Sequence, residues 1–515
     1  MRRRTLSAAV VTALLALSAC TGTDVPGGAS GSGTPTGSGA PGSEAPSGSE
    51  ADGSSGPVRP GEERPEATAS GAASWPAPDP SRPVMDLSFT VAPDLRSAVG
   101  QERVRFTPDL DVCELVFRAW PNNPSIAAAG NALVVDAVSV DGAPAAAEVS
   151  PAGAPEGSPG TLIEVQLPGC VDAATPINVD LGFTLTFGED SGERVGVTPE
   201  DEVAWFGSAY PMLAWERGVG WARDDAVPVP GETATSEDFE LRSLEVTASS
   251  EYDVLGAGEL LGTTDGEDPG TTTHRFTAPA VRDVTVTVGR LDVVQHTVGD
   301  VTVHVGAPTI GIRSTPQRWA EELAGSVERV SALLGPMPYD DLWVSVLPDT
   351  ADGVEYPGAV QFRDTNPRRD GWLVTHEVAH MWFYGLVGNN QGRDPWLDES
   401  FASFVQVVAD DRDRDPAPSG TVPRLVLGDV GRPMSFWAEQ FDRPGSAYIQ
   451  GVYVAGTDAL IEARRAVGAD AFDDALRSYL RANAHSVATP EDVVEAFADL
   501  PEVIEVLKNA GAVER

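Results

Sequence analysis

Trp372-Leu373-Val374-Thr375-His376-Glu377-Val378-Ala379-His380-Met381-Trp382-Phe383 is the segment of this 515-residue chain from which its fold is read. Its apolar spacing predicts a helix, and a helix turns every 3.6 residues, so positions i and i+4 share a face. His376 and His380 can therefore put two imidazole nitrogens on one ion, with Glu377 beside that face, in reach of a water on the metal. The chain has six histidines, and two of them fall at this spacing next to an acid. A catalytic metal needs a third protein ligand and an open position. The sequence predicts that the helix runs on to Gly388, that 389–393 is a polar loop, and that Asp394 caps a second helix with Pro395 at its first position. Two helices joined by a short loop run antiparallel, which returns Glu399 to the level of His380. Two imidazoles and a carboxylate favour one Zn²⁺ per chain.

The eighteen residues between His380 and Glu399, flanked by Trp382-Phe383 and Trp396-Leu397-Asp398-Glu399, resemble the gluzincin zinc aminopeptidases of the aminopeptidase N family. Gly353-Val354-Glu355-Tyr356 looks like their Gly-x-Met-Glu-Asn strand. Ala447-Tyr448-Ile449-Gln450-Gly451 looks like their Tyr-x-Lys-Gly segment, and Phe117-Arg118-Ala119-Trp120-Pro121-Asn122 is similar to a stretch of their N-terminal β domain. The resemblance covers about residues 84–515. It implies a β domain followed by a thermolysin-like, mainly helical peptidase domain. It also implies that Glu355 binds a peptide's α-amine and that Tyr448 hydrogen-bonds the tetrahedral oxyanion. Val354, Tyr356 and Gln450 depart from the family pattern. A second amine-binding residue from the β domain is not placed, since Phe206 to Glu216 offers only Glu216. The resemblance further implies a form lacking the large C-terminal helical domain of many relatives, with a more open site.

Upstream the pattern is β. Val284, Val286 and Val288 alternate with threonines, and Val301, Val303 and Val305 follow a Gly299-Asp300 turn. An antiparallel, sandwich-like or saddle-shaped domain is expected over 82–306, with His274, His296 and His304 on its surface. From 307 to 515 the expected domain is the catalytic one. Trp319, Leu323, Val327, Val330 and Leu334 mark one face of a helix from Pro316 to the Gly335-Pro336 stop. A strand from Leu342 to Leu347 follows, and later helices include one opened by Thr489-Pro490-Glu491-Asp492.

The N-terminus reads as an export signal. Arg2 to Arg4 precede an apolar stretch from Leu6 to Leu17, too short to span a bilayer. It ends in Leu17-Ser18-Ala19-Cys20, which resembles a lipoprotein lipobox. Residues 1–20 are thus expected to be a lipoprotein signal peptide, with Cys20 lipidated and the protein held on the outer face of a bacterial cell membrane. Residues 21–81 are Gly-, Ser- and Pro-rich, with Trp75 their one aromatic, and read as a disordered tether in which nothing packs. Export into an oxidising compartment pairs the remaining cysteines, Cys113 and Cys170, as one disulfide.

Asp and Glu outnumber Lys and Arg 77 to 35, a formal charge of −42, which excludes nucleic acid as a natural partner. Nothing in the sequence sets an oligomeric state. The expected chemistry is peptide hydrolysis with release of N-terminal residues, Glu377 taking a proton from water and passing it to the leaving amine. The alternatives are an endopeptidase or other hydrolase on the same zinc site, and a catalytically silent lipoprotein that binds peptides.

Overall fold

The structure is a computed structural model, and it describes residues 74–189, 193–229, 237–348, 350–415 and 417–514. The signal peptide, the lipobox with Cys20 and most of the tether lie outside the described residues. Among the described residues, no helix is long and apolar enough to cross a membrane.

The N-terminal half is built from sheets. Its largest has eight strands in the order 259–265, 271–281, 239–249, 84–91, 97–106, 177–186, 132–140 and 143–145. Alternation along Ser97–Phe106 is strict: Ala98, Gly100, Glu102, Val104 and Phe106 face the core and the residues between them face water. The sheet is not wholly antiparallel as expected, because Val84–Val91 runs parallel to Phe239–Ser249. Parallel pairing needs a long crossover, here about 150 residues of chain, which local periodicity does not reveal. Strand Val112–Arg118 pairs with Leu162–Val171, and Cys113 and Cys170 are joined by a disulfide between them.

The boundary expected at 306 falls within the strand Val301–Pro308. The hairpin Leu291–Val298 and Val301–Pro308 belongs to a five-stranded sheet that continues through Asp341–Leu347 and Ala359–Arg363 to the edge strand Gly353–Tyr356. Two cores meet at this sheet. Trp343, Leu347, Val354, Tyr356 and Ala359 pack into the core of the β region. Val303, Val305, Val344, Val346 and Phe362 pack with the helices. Alternation along a strand shows that one face is buried and not which core buries it, so the hairpin valines gave no sign of the side to which they belong. His304 is consequently not a surface residue. It is buried, bonds Asp341 at 2.7 Å and stacks on Trp343 with ring centroids 3.9 Å apart.

The helix Pro316–Leu334 carries the predicted apolar face, and Gly335 ends it at φ 116°, a backbone region that favours glycine. The tether boundary moves. Trp75 is part-buried, donates its indole N–H to the Pro336 carbonyl at 2.9 Å and lies under the Arg481 guanidinium at 5.2 Å. Trp75, within the stretch read as a tether, is therefore docked on the helical region.

Candidate metal centre and active site

The metal-motif helix spans Gly371–Ala379, with His380 as its C-terminal cap. It does not continue to Gly388. Tyr384 adopts φ 89°, reversing the chain, and Gly388–Asn389 forms a short parallel pairing with Val487–Ala488. Arg282 from the β region secures this turn by donating to the carbonyls of Gly385 and Ser486. The second helix, Trp396–Ala409, starts after Pro395 without the side-chain cap expected from Asp394. Its return is nevertheless as expected, because the two helices pack and bring Glu399 to the histidines.

His376, His380 and Glu399 are all buried and offer ligand atoms within 4.8 Å of one another. Glu399 Oε2 lies 3.3 Å from His376 Nε2 and 3.5 Å from His380 Nε2, and the two Nε2 atoms are 3.2 Å apart. Two imidazole nitrogens aimed at one point beside a carboxylate form the donor set of a His₂Glu zinc site, and it fits. The opposite ring nitrogens are held from behind: His380 Nδ1 by Asp398 at 2.7 Å and His376 Nδ1 by Ser403 Oγ at 3.4 Å. Such partners set which nitrogen faces a metal. The Glu399 carboxyl is buried, which alone would raise it, yet the two histidines hold it well below the usual carboxylate range. It thus presents a charged oxygen.

Glu377 and Glu355 converge on the same place. Together with His380 they form a second group whose ligand atoms lie within 4.8 Å of one another. Glu377 Oε2 is buried without a hydrogen-bond partner among the described residues. Burial, with Glu355 and Glu399 nearby, pushes the Glu377 carboxyl well above the usual range, although His380 opposes this. The charge of a bound metal would draw it back down. The closeness of Gly353 explains the glycine there: a Cβ on it would stand 2.2 Å from Glu377 Oε1.

Tyr448 is buried at the end of the helix Pro444–Tyr448, where the chain enters a π-helical stretch, Ile449–Val454. Its ring meets Tyr453 at 5.7 Å, and Tyr453 stacks on His376 at 5.9 Å. Tyr453 was not foreseen from the sequence. It lies five positions after Tyr448, a spacing that shares a face only where the helix widens to the π form.

Glu216, the only acid in the stretch considered for a second amine ligand, is occupied elsewhere. It accepts from Asn390 at 2.7 Å and pairs with Arg393 at 3.1 Å, bracing the loop between the two metal helices. Glu355 has a different partner that was not foreseen. Arg194 donates to its carboxylate at 2.9 Å and to its backbone carbonyl at 3.1 Å. A lone arginine in Gly192-Glu193-Arg194-Val195 carries no periodic signal that could have singled it out.

Residues 363–509 match the Peptidase family M1 domain. The chain is 25% identical to aminopeptidase Ey of Gallus gallus over 225 residues, 38% of this chain and 23% of that protein. It is 26% identical to aminopeptidase N of Streptomyces lividans over 187 residues, 31% of this chain and 21% of that protein. It thus spans under a quarter of the length of these curated relatives. A crystal structure of an M1 zinc metallopeptidase from Deinococcus radiodurans superimposes with a TM-score of 0.60 at 18% identity, covering 86% of this chain and 97% of that one. A point mutant of that enzyme was solved with a Tyr-Ser-Ala substrate. At such identity the likeness concerns the fold: a sheet-rich N-terminal part followed by the zinc peptidase part. The motif, its buried geometry and these relatives make residues 363–509 similar to the zinc metallopeptidases of family M1, aminopeptidase N among them.

Proposed function

We propose that this chain is a zinc-dependent peptidase that releases N-terminal amino acids from peptides, with a saddle-like β domain backing a thermolysin-like catalytic domain. The observation that carries this reading is the convergence of Glu377 and Glu355 on the His376–His380–Glu399 cluster. When bound by these three residues, zinc supplies the acidity that brings a water near neutral pKa and polarises the scissile carbonyl. Glu377 accepts the water's proton and delivers it to the leaving amine. Asp398 keeps the His380 ring oriented throughout. Tyr448 donates to the oxygen on which negative charge develops. Glu355, on the edge strand of the sheet, meets the substrate's α-ammonium and so counts one residue inward to the bond that is cut.

The test is a panel of aminoacyl substrates run with metal analysis. Glu377→Gln should retain zinc and lose at least about 10²-fold in kcat, since only the proton carrier is removed. Glu399→Ala should lose the zinc itself. Full zinc occupancy and rate in Glu399→Ala would transfer the third ligand to another residue. The lipidation of Cys20 belongs to the same proposal. Cys20→Ser should release the protein from the membrane fraction or leave it uncleaved, and normal processing with unchanged membrane binding would refute lipid attachment.

A further inference from the structure

The contact between Arg194 and Glu355 changes what the aminopeptidase site can demand of its substrate. Arg194 stands just before the strand Val195–Thr198 in the β region and is 1% exposed, while Glu355 is 5% exposed. The guanidinium spans Glu355 with two donations, one to Oε1 at 2.9 Å and one to the main-chain oxygen at 3.1 Å. It also lies 5.2 Å over the ring of Tyr356, the residue that replaces the family's Asn. A two-pronged, buried pair of this kind is fixed in geometry.

We propose that Arg194 is a specificity-determining residue that relaxes the requirement for a free N-terminal amine by neutralising Glu355. The proposal rests on the reading of Glu355 as the amine-binding group.

An isolated carboxylate in a dehydrated pocket grips an ammonium by charge as well as by hydrogen bonding. Here one oxygen of Glu355 already faces a cation, which leaves the other for the substrate. An ammonium seated there is a few ångströms from the guanidinium, and like charges at that range in a buried site oppose binding strongly. The β region sends no acid toward the open Glu355 oxygen from the stretch between Phe206 and Glu216, while its Asp283 and Glu193 act on Arg194 itself. Glu216 is spent on Asn390 and Arg393, and Ser208 donates to Asp283. A charge-assisted contact contributes roughly 10- to 10²-fold in binding, and the adjacent cation removes a comparable factor. The carboxylate still accepts a neutral donor, such as the N–H of an acylated residue. Peptides without a free terminus are therefore not excluded on charge.

The experiment uses the full-length zinc enzyme and a matched pair of substrates: the best aminoacyl p-nitroanilide of the panel and its N-acetylated twin. kcat and KM are measured for both with wild type, R194Q, R194K and E355Q, with zinc content checked in each. Wild type should favour the free amine by roughly tenfold or less in kcat/KM. R194Q, which keeps a donor and loses the charge, should raise that preference at least about tenfold, chiefly through a lower KM for the free amine. R194K should keep the wild-type ratio. An unchanged or lower ratio in R194Q would overturn the proposal and leave Arg194 as a residue that only positions Glu355. A wild-type preference above about 10³-fold would overturn it whether or not R194Q folds, since a neutralised Glu355 cannot discriminate to that degree. E355Q separates the two layers: if it leaves the wild-type ratio unmoved, Glu355 does not meet the amine and the underlying reading fails by itself.

Discussion

Gly353→Ala is the smallest change that should disable the site. Gly353 has no left-handed φ, so alanine costs nothing in backbone strain. The added methyl would lie 2.2 Å from Glu377 Oε1, 2.5 Å from its Cδ and 2.8 Å from its Cγ. Non-bonded carbon and oxygen atoms need about 3.4 Å or more, so the carboxylate must retreat by about 1 Å. It is the far end of a flexible side chain, so the retreat is cheap for stability. It is not cheap for proton transfer, because a misplacement of about 1 Å costs about 10²-fold, or about 3 kcal/mol of transition-state stabilisation. The variant should therefore show kcat lowered about 10²-fold, with zinc content retained and an apparent melting temperature within a degree or two of wild type. Steady-state kinetics, metal analysis and a thermal melt read these three quantities. A kcat within about threefold of wild type would refute the reasoning, since Glu377 would then be working from some other position. Loss of zinc would show instead that the strand supports the ligands rather than the base.

Two further predictions concern stability. Trp75→Ala removes the hydrogen bond to Pro336 and the contact with Arg481, together about 2 kcal/mol. It should lower the apparent melting temperature by a few degrees and leave kinetics unchanged; an identical melt would mean that the segment is not docked. Glu102 is buried with both carboxyl oxygens unpartnered, and burial pushes its carboxyl well above the usual range. The folded state thus holds this proton where the unfolded chain releases it, so stability falls as pH rises above the ordinary glutamate value towards the folded one. Glu102→Gln should flatten that part of the profile, read as denaturation midpoints at pH 5 and pH 8, and parallel profiles for the two proteins would contradict it.

The residues of the candidate metal cluster were legible in the sequence because their geometry is local. His376 and His380 share a face through the helical repeat alone, and a helix, a short connection and a second helix return Glu399 whatever the path between them. That path was misread: the first helix stops at Ala379, and the intervening chain pairs with Val487–Ala488 and is tied down by Arg282. None of those contacts is encoded near the motif. Strand alternation exposed the β region, and the cysteine count exposed the Cys113–Cys170 bridge, but neither showed which strands are neighbours. The parallel pairing of Val84–Val91 with Phe239–Ser249 and the assignment of Val301–Pro308 to the five-stranded sheet depend on contacts between distant segments.

The surroundings of Glu355 show the division most clearly. Sequence by itself determined that a buried-type helix carries two histidines and a glutamate at metal-binding spacing, that Glu399 follows on a second helix, and that Glu355 sits on a strand resembling a substrate-binding one. Only the tertiary structure decided that Arg194, 161 residues upstream, lies against Glu355, that Glu216 is turned away to Asn390, and that Tyr453 stacks on His376. The physical reason is one of range. Periodicity fixes which side chains share a face of one element. The charge that a buried carboxylate feels is set by whichever element is packed against it, and that choice is made by the fold as a whole.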